Sequence, residues 1–165
     1  MGQTDLVTLY YDDVPVGATF HVPGRVVTEE DLARFAEISG DDHPIHTDEN
    51  YARATPFGRR IAHGPFGIAL AIGLFGRLPE FRESALAMTD VREWVFRAPL
   101  YIGDNLSLRV AIVAKRITRS GNAIIDRRFE LAKADGSVAQ EGLSGMLIAR
   151  RDRSVPPHEV DKSRG

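Results

Sequence analysis

The chain of 165 residues has no cysteine. That rules out disulfides, zinc–thiolate centres and thiol nucleophiles, and it fits a reducing compartment. It has no excess of either charge: 21 Lys and Arg face 23 Asp and Glu, a net charge of −2. A nucleic-acid partner is therefore not expected. It also lacks a long apolar run. The most apolar stretch, PFGIALAIGLFGRL (65–78), ends at Arg77 and is shorter than the ~20 residues a membrane-spanning helix needs. No membrane partner is expected. The opening residues, MGQTDLVTLYYDDVPVG, carry early acids and no apolar segment behind a basic one, so they do not read as a secretory signal, and a cytoplasmic protein is expected.

What is present suits one globular domain: 43% hydrophobic and 27% charged residues are close to the average for packed proteins. The N-terminal part, to about Val27, reads as two extended pieces with turns at Val16-Gly17 and Pro23-Gly24. A helix then starts at Thr28, with Glu29, Glu30 and Asp31 in its first turn, and Gly40 is placed to stop it. Pro44 should keep residues 41–46 out of a regular helix, and a short helix is expected from Asp48 to about Ala54. A helix opening near Gly64, with Pro65 in its first turn, is apolar on every side and should be buried on every side. Leu106, Leu108, Val110 and Ile112 then alternate with Ser107, Arg109 and Ala111 as in a strand, and Ser120-Gly121-Asn122 and Asp135-Gly136 read as hairpin-type turns. Between and around them strands are expected at about 84–97, 104–118, 123–134 and 137–149, in a long antiparallel meander. The expected fold class is α+β, a curved antiparallel β-sheet wrapped around a central buried helix. The domain covers residues 1–149, and residues 150–165 form a polar, flexible tail.

The stretch SGDDHPIHTD (39–48) crowds three aspartates and two histidines into ten positions. It reads as a metal cage, an acid/base pair, or a polar loop. Zinc motifs on a helix use histidines four apart, and Pro44 argues against a helix here, so no metal is assigned. Asp48 reads as a helix cap, and Asp42 and His43 as ordinary loop residues. Asp41 and His46 stand between two helices, where a carboxylate and an imidazole can face one water. RIAHGPFG (60–67) leads into the apolar helix, whose first N–H groups lack partners. Gly64 would supply the donor there, since Pro65 has none. His63 reads as a packing histidine bonded to backbone. Phe66 and residues 68–74 are candidates for limiting ligand room. Arg59, Arg60, Arg97 and Arg116 are candidate phosphate contacts, although surface charge is the commoner role.

Two spaced motifs, S39-G40-D41-D42-H43-P44-I45-H46-T47-D48 and I61-A62-H63-G64, resemble the signature of the MaoC-like dehydratases, or (R)-specific enoyl-CoA hydratases, of the hot-dog fold. GRVVTEEDLARFAEISGD upstream and FRAPLYIGDNLSLRV (96–110) agree with the same pattern, and the resemblance covers residues 10–149. It implies a hot-dog homodimer or higher homo-oligomer. It also implies catalysis by Asp41 and His46 on a shared water, with the Gly64 N–H as oxyanion hole. His43 stands where the family commonly has asparagine, and His43, His63 and Phe66 count as site-lining candidates. The implied reaction is hydration of a trans-2-enoyl-CoA, or dehydration of an (R)-3-hydroxyacyl-CoA, in fatty acid metabolism. No cofactor is implied beyond the coenzyme A of the acyl-CoA substrate. Carrier-protein-bound, branched or dicarboxylic acyl substrates and a non-catalytic acyl-CoA-binding module stand as alternatives. A thioesterase is a further one, but such enzymes place a carboxylate on the central helix, and residues 65–76 contain none.

Overall fold

A computed structural model describes residues 7–151. The first strand, β1 (Thr19–Val26), leads to α1 (Glu29–Ser39), which Thr28 starts with a complete capping box and Gly40 ends in the left-handed region. Two short helices follow, α2 (Pro44–Thr47) and α3 (Glu49–Arg53), then α4 (Gly64–Phe75). The rest is strand: β2 (Ala85–Phe96), β3 (Asn105–Ile117), β4 (Ala123–Lys133) and β5 (Val138–Ile148). All five strands form one antiparallel sheet in the order β1-β3-β4-β5-β2. Leu106, Leu108, Val110 and Ile112 of β3 alternate into the core with Ile125, Phe129 and Leu131 of β4. The helix α4 lies against β1, β3 and β4 and buries Phe66, Leu70, Leu74 and Phe75 among them. Each of those side chains contributes about 1.5–3 kcal/mol by leaving water. No helix among the described residues is long and apolar enough to cross a membrane.

Four expectations needed correction. Pro23-Gly24 is not a turn between two strands. It is a bulge inside β1, where the register to β3 slips between Val22 and Arg25. An edge strand tolerates the missing proline N–H, and the glycine is needed because a Cβ on it would sit 0.9 Å from the Leu106 carbonyl oxygen. Pro44 does not exclude a helix. It opens the one-turn α2 at its first position, where its missing N–H costs nothing. The meander holds for β3, β4 and β5, but β2 pairs with β5 rather than β3. The free edge of β3 is already taken by β1, so the 97–104 connection must carry the chain to the far edge. Finally, α4 is not covered all round. Pro65, Ala69 and Gly73 form an exposed stripe of small residues, because one sheet can cover only one side of a helix.

Residues 150 and 151 stay with the body of the protein, Arg151 donating to the Asp12 and Asp13 carboxylates. The rest of the expected tail lies outside the described residues. Because the Gly24 bulge has no room for a methyl group, Gly24→Ala should unzip the β1–β3 pairing and cost about 3 kcal/mol. A thermal melt close to that of the wild type would show that the bulge can relax.

Candidate active site

The polar loop is folded by its own side chains. Asp41 accepts from the His43 N–H through Oδ1 at 3.3 Å, and its own N–H is held by Ser39 Oγ at 3.2 Å. His43 caps α2 by accepting from Ile45 N–H at Nδ1, 3.2 Å away, and Thr47 Oγ1 ties the loop to the Asp42 and His43 carbonyls. These contacts leave Asp41 Oδ2 free to face inward. Asp48 caps α3 through the N–H groups of Asn50 and Tyr51, as its position in the sequence suggests.

Three residues converge on one gap. His46 Nε2 lies 3.9 Å and His63 Nε2 4.0 Å from Asp41 Oδ2. The two imidazoles stack with ring centres 3.7 Å apart. His46 Nδ1 is 2.8 Å from the Ile61 carbonyl oxygen. A carbonyl only accepts, so Nδ1 carries the proton and Nε2 presents a lone pair to the gap. His63 Nε2 is 2.8 Å from the Asp41 carbonyl oxygen, so here Nε2 carries the proton. His63 is 2% exposed and its Nδ1 has no partner. The expected packing histidine is therefore one that packs directly on Asp41 and His46. A separation of 3.9 Å is too long for a direct hydrogen bond and suits a bridging water. The three side chains offer donor atoms within 4.8 Å of one another, a spacing that also suits a metal ion. Ligation through His63 Nε2 would cost its hydrogen bond to the Asp41 carbonyl.

Burial pushes the His46 imidazole below its ordinary value, and the neighbouring His63 and His43 act in the same direction. The Ile61 carbonyl and Asp41 pull the other way. Protonating the ring in the folded state costs more than in the unfolded chain, so His46 is neutral at pH 7.

Gly64 begins α4 directly after His63, and among the described residues its N–H meets no acceptor. It lines a cavity of about 270 Å³ with Phe57, Ile61, Phe96, Arg97 and Gln140. Phe96 packs so closely that a Cβ on Gly64 would lie 3.1 Å from its ring. Gln140, which sequence reasoning missed, is 2% exposed. It donates to the Gly64 carbonyl at 3.3 Å and accepts from the Trp94 indole at 3.1 Å. Glu141 follows Gln140 and the burial along β5 does not alternate, so the sequence carried no signal for it.

Other candidates fall elsewhere. Phe66 turns towards Phe35 and Arg25 and lines a different cavity, of about 300 Å³, with Ala69, Leu70, Gly73 and Leu74. Arg60 is taken by Glu29 and Glu49, Arg97 by Glu141 and Arg116 by Asp126. Arg59 is exposed and stacks over Tyr101 at 4.0 Å.

The family described as MaoC like domain matches residues 14–128. A 3-hydroxybutyryl-CoA dehydratase of Methylorubrum extorquens is 38% identical over 109 residues, 66% of this chain and 66% of that relative's own length. An (R)-specific enoyl-CoA hydratase of Rhodospirillum rubrum is 32% identical over 68% of this chain and 75% of its own. The crystal structure of a MaoC-like dehydratase from Rhodospirillum rubrum superposes with a TM-score of 0.76 at 25% identity, covering 87% of this chain and 98% of that one. The shared architecture is the hot-dog fold.

The charge state of His46 is open to direct test. In an NMR titration its ring should protonate below pH 6.5, the ordinary histidine value. Asp41→Asn should lower that midpoint further, because an attractive carboxylate is lost. The unfolded chain takes up this proton first, so the contribution to stability is complete above about pH 6.5 and declines as pH falls towards the folded midpoint. A His46 midpoint at or above 6.5 would contradict the buried, neutral ring.

Proposed function

The chain belongs to the MaoC-like family of hydratases and dehydratases, and on that premise we propose that it catalyses reversible hydration of a trans-2-enoyl-CoA to a 3-hydroxyacyl-CoA. The observation that carries the reading is the pairing of two proton acceptors, Asp41 Oδ2 and His46 Nε2, 3.9 Å apart across one gap. Gly64, which directly follows His63, has an N–H without an acceptor among the described residues and lines a cavity. A water in the gap donates one hydrogen to each acceptor and turns a lone pair towards C3 of the substrate. The Gly64 N–H polarises the thioester carbonyl and draws charge from C3. As the oxygen–C3 bond forms, the C2=C3 pair shifts towards the carbonyl and the water gives one proton to the dyad. That proton then passes to C2. One water enters, none is left over, and dehydration is the same path reversed. His63 holds Asp41 by its carbonyl and His46 by its ring face, and Gln140 holds the first carbonyl of α4.

We assign the working form as a homodimer paired through β2. This strand is an edge of the sheet and is exposed on both faces, with Leu86, Met88, Val91, Val95 and Phe96 open to water. Unpaired edges with apolar side chains invite a second strand, and a twofold axis would let β2 pair with its own copy.

The test is a spectrophotometric assay of enoyl absorbance with crotonyl-CoA. Wild type should turn over, and Asp41→Asn and His46→Gln should each lose about 10²-fold or more in kcat. Activity should survive EDTA, since no step needs a metal. Silence with crotonyl-CoA and with longer, branched and carrier-protein-bound enoyl groups would instead favour a binding module. Sedimentation should give two chains per particle, and Met88→Asp should shift it towards one.

A further inference from the structure

Along β4 the inward positions read Ile125, Arg127, Phe129, Leu131. Three are ordinary core residues and one is a guanidinium. Arg127 is 2% exposed. Its Nη2 donates to Ser144 Oγ at 3.0 Å and to the Gly145 carbonyl at 3.4 Å, while Nε is enclosed without an acceptor. Among the described residues no carboxylate lies within ion-pair distance of it. Asp90 and Asp126 act on it only through space, and both are held by other arginines: Asp90 by Arg92, Asp126 by Arg92 and Arg116. The guanidinium lies over the Phe75 ring at 4.4 Å and the Phe129 ring at 5.0 Å. Burial pushes its pKa down to about 10, which leaves it charged at neutral pH. Cation–π contact compensates part of the burial, but the unused donors remain, and a buried charge without a partner is costly.

Arg127, whose Nη1 makes no hydrogen bond among the described residues, lines a cavity of about 240 Å³ beyond the C-terminal end of α4, together with apolar side chains including Ile72, Phe75, Leu78, Leu86, Met88 and Met146. We propose that this cavity binds an aliphatic carboxylate, with Arg127 as its counter-ion. The lining suits an alkyl chain and not a hydrated inorganic anion. Nη1, the guanidinium nitrogen that is neither enclosed nor hydrogen-bonded, suits a carboxylate oxygen, which would accept a charge-assisted hydrogen bond from it.

The carboxylate has two sources. It is either the far end of a long dicarboxylic acyl chain whose thioester sits at Gly64, which rests on the proposed hydratase function, or a separate fatty acid. The 12 residues of α4 separate the two ends by about 18 Å at 1.5 Å per residue, so only a long chain would bridge them.

The experiment is calorimetric titration of the full-length protein with octanoate, beside octanol and inorganic phosphate. Octanoate should bind, and the two controls should bind at least about tenfold more weakly. Arg127→Met should lose about tenfold or more in octanoate affinity and melt no lower than wild type, because an unpaired buried charge is replaced by a side chain of similar length. No octanoate binding to wild type, or equal binding to Arg127→Met, overturns the site. So does dissociation of Arg127→Met to a monomer, which would mean that a second chain supplies the counter-ion. If Arg127→Met does not fold, Arg127→Lys decides: weakened octanoate binding supports the site and unchanged binding overturns it. A turnover comparison separates the sources. A lower KM for an ω-carboxy enoyl-CoA than for its monocarboxylic analogue, lost in Arg127→Met, assigns the carboxylate to the substrate. Octanoate binding without that preference assigns it to a separate acid. Failure of the hydratase reading would silence the turnover arm and leave the titration unaffected.

Discussion

A helix of 12 residues with no charged side chain is held in water only by what it packs against, and the rest of this molecule is arranged around that requirement. The sheet supplies an apolar face from β1, β3 and β4. The price of burying the helix end is a set of first-turn N–H groups that no preceding carbonyl can satisfy. Pro65 removes one of them, Phe66 N–H finds the His63 carbonyl, and the Gly64 N–H is left without an acceptor among the described residues in a residue that lines a cavity. The donor used in the proposed chemistry is thus a by-product of how an apolar helix enters a core.

The polar loop depends on the same helix. His63 precedes α4, is fixed by the burial of that helix, and reaches across to the Asp41 backbone while its ring lies on His46. The Ile61 carbonyl, on the same run of chain, sets the His46 tautomer. One segment of four residues, Ile61 to Gly64, therefore holds the Asp41 backbone, sets the protonation of the His46 imidazole and carries the unpartnered Gly64 N–H. Local hydrogen bonds from Ser39, His43 and Thr47 hold the loop itself. They cannot determine what the loop faces.

The opposite end of α4 obeys a different balance. There the sheet presents Arg127 where its neighbours present isoleucine, phenylalanine and leucine, and its charge is set against two aromatic rings rather than a carboxylate. A chain selected for stability alone would have little reason to keep a cation at that position. The contrast between the two ends, one with the unpartnered Gly64 N–H after His63 and one with a guanidinium that has no carboxylate partner beside an apolar cavity, gives the helix a chemical polarity beyond its dipole.

The sequence by itself determined the elements whose signals are local. Thr28, Asp31 and Gly40 delimit α1 through backbone groups within a few residues, and the two-residue period of β3 with the turns at Ser120-Gly121-Asn122 and Asp135-Gly136 located β3 to β5 to within a residue or two. Asp41, His46 and Gly64 stood out because their neighbours in the chain define the loop and helix entry that present them. Contacts between distant segments were decided only by the tertiary structure. Pro23-Gly24 reads as a turn until the carbonyl of Leu106, far along the chain, makes it a bulge. The edge position of β2 depends on β1 having already taken the side of β3. Gln140 and Arg127 are unremarkable letters in strands, and they acquire meaning only when folding places one under the Gly64 carbonyl and the other in an apolar cavity without a counter-ion. Burial and pairing are properties of what surrounds a residue, and for these side chains the surroundings come from other parts of the chain.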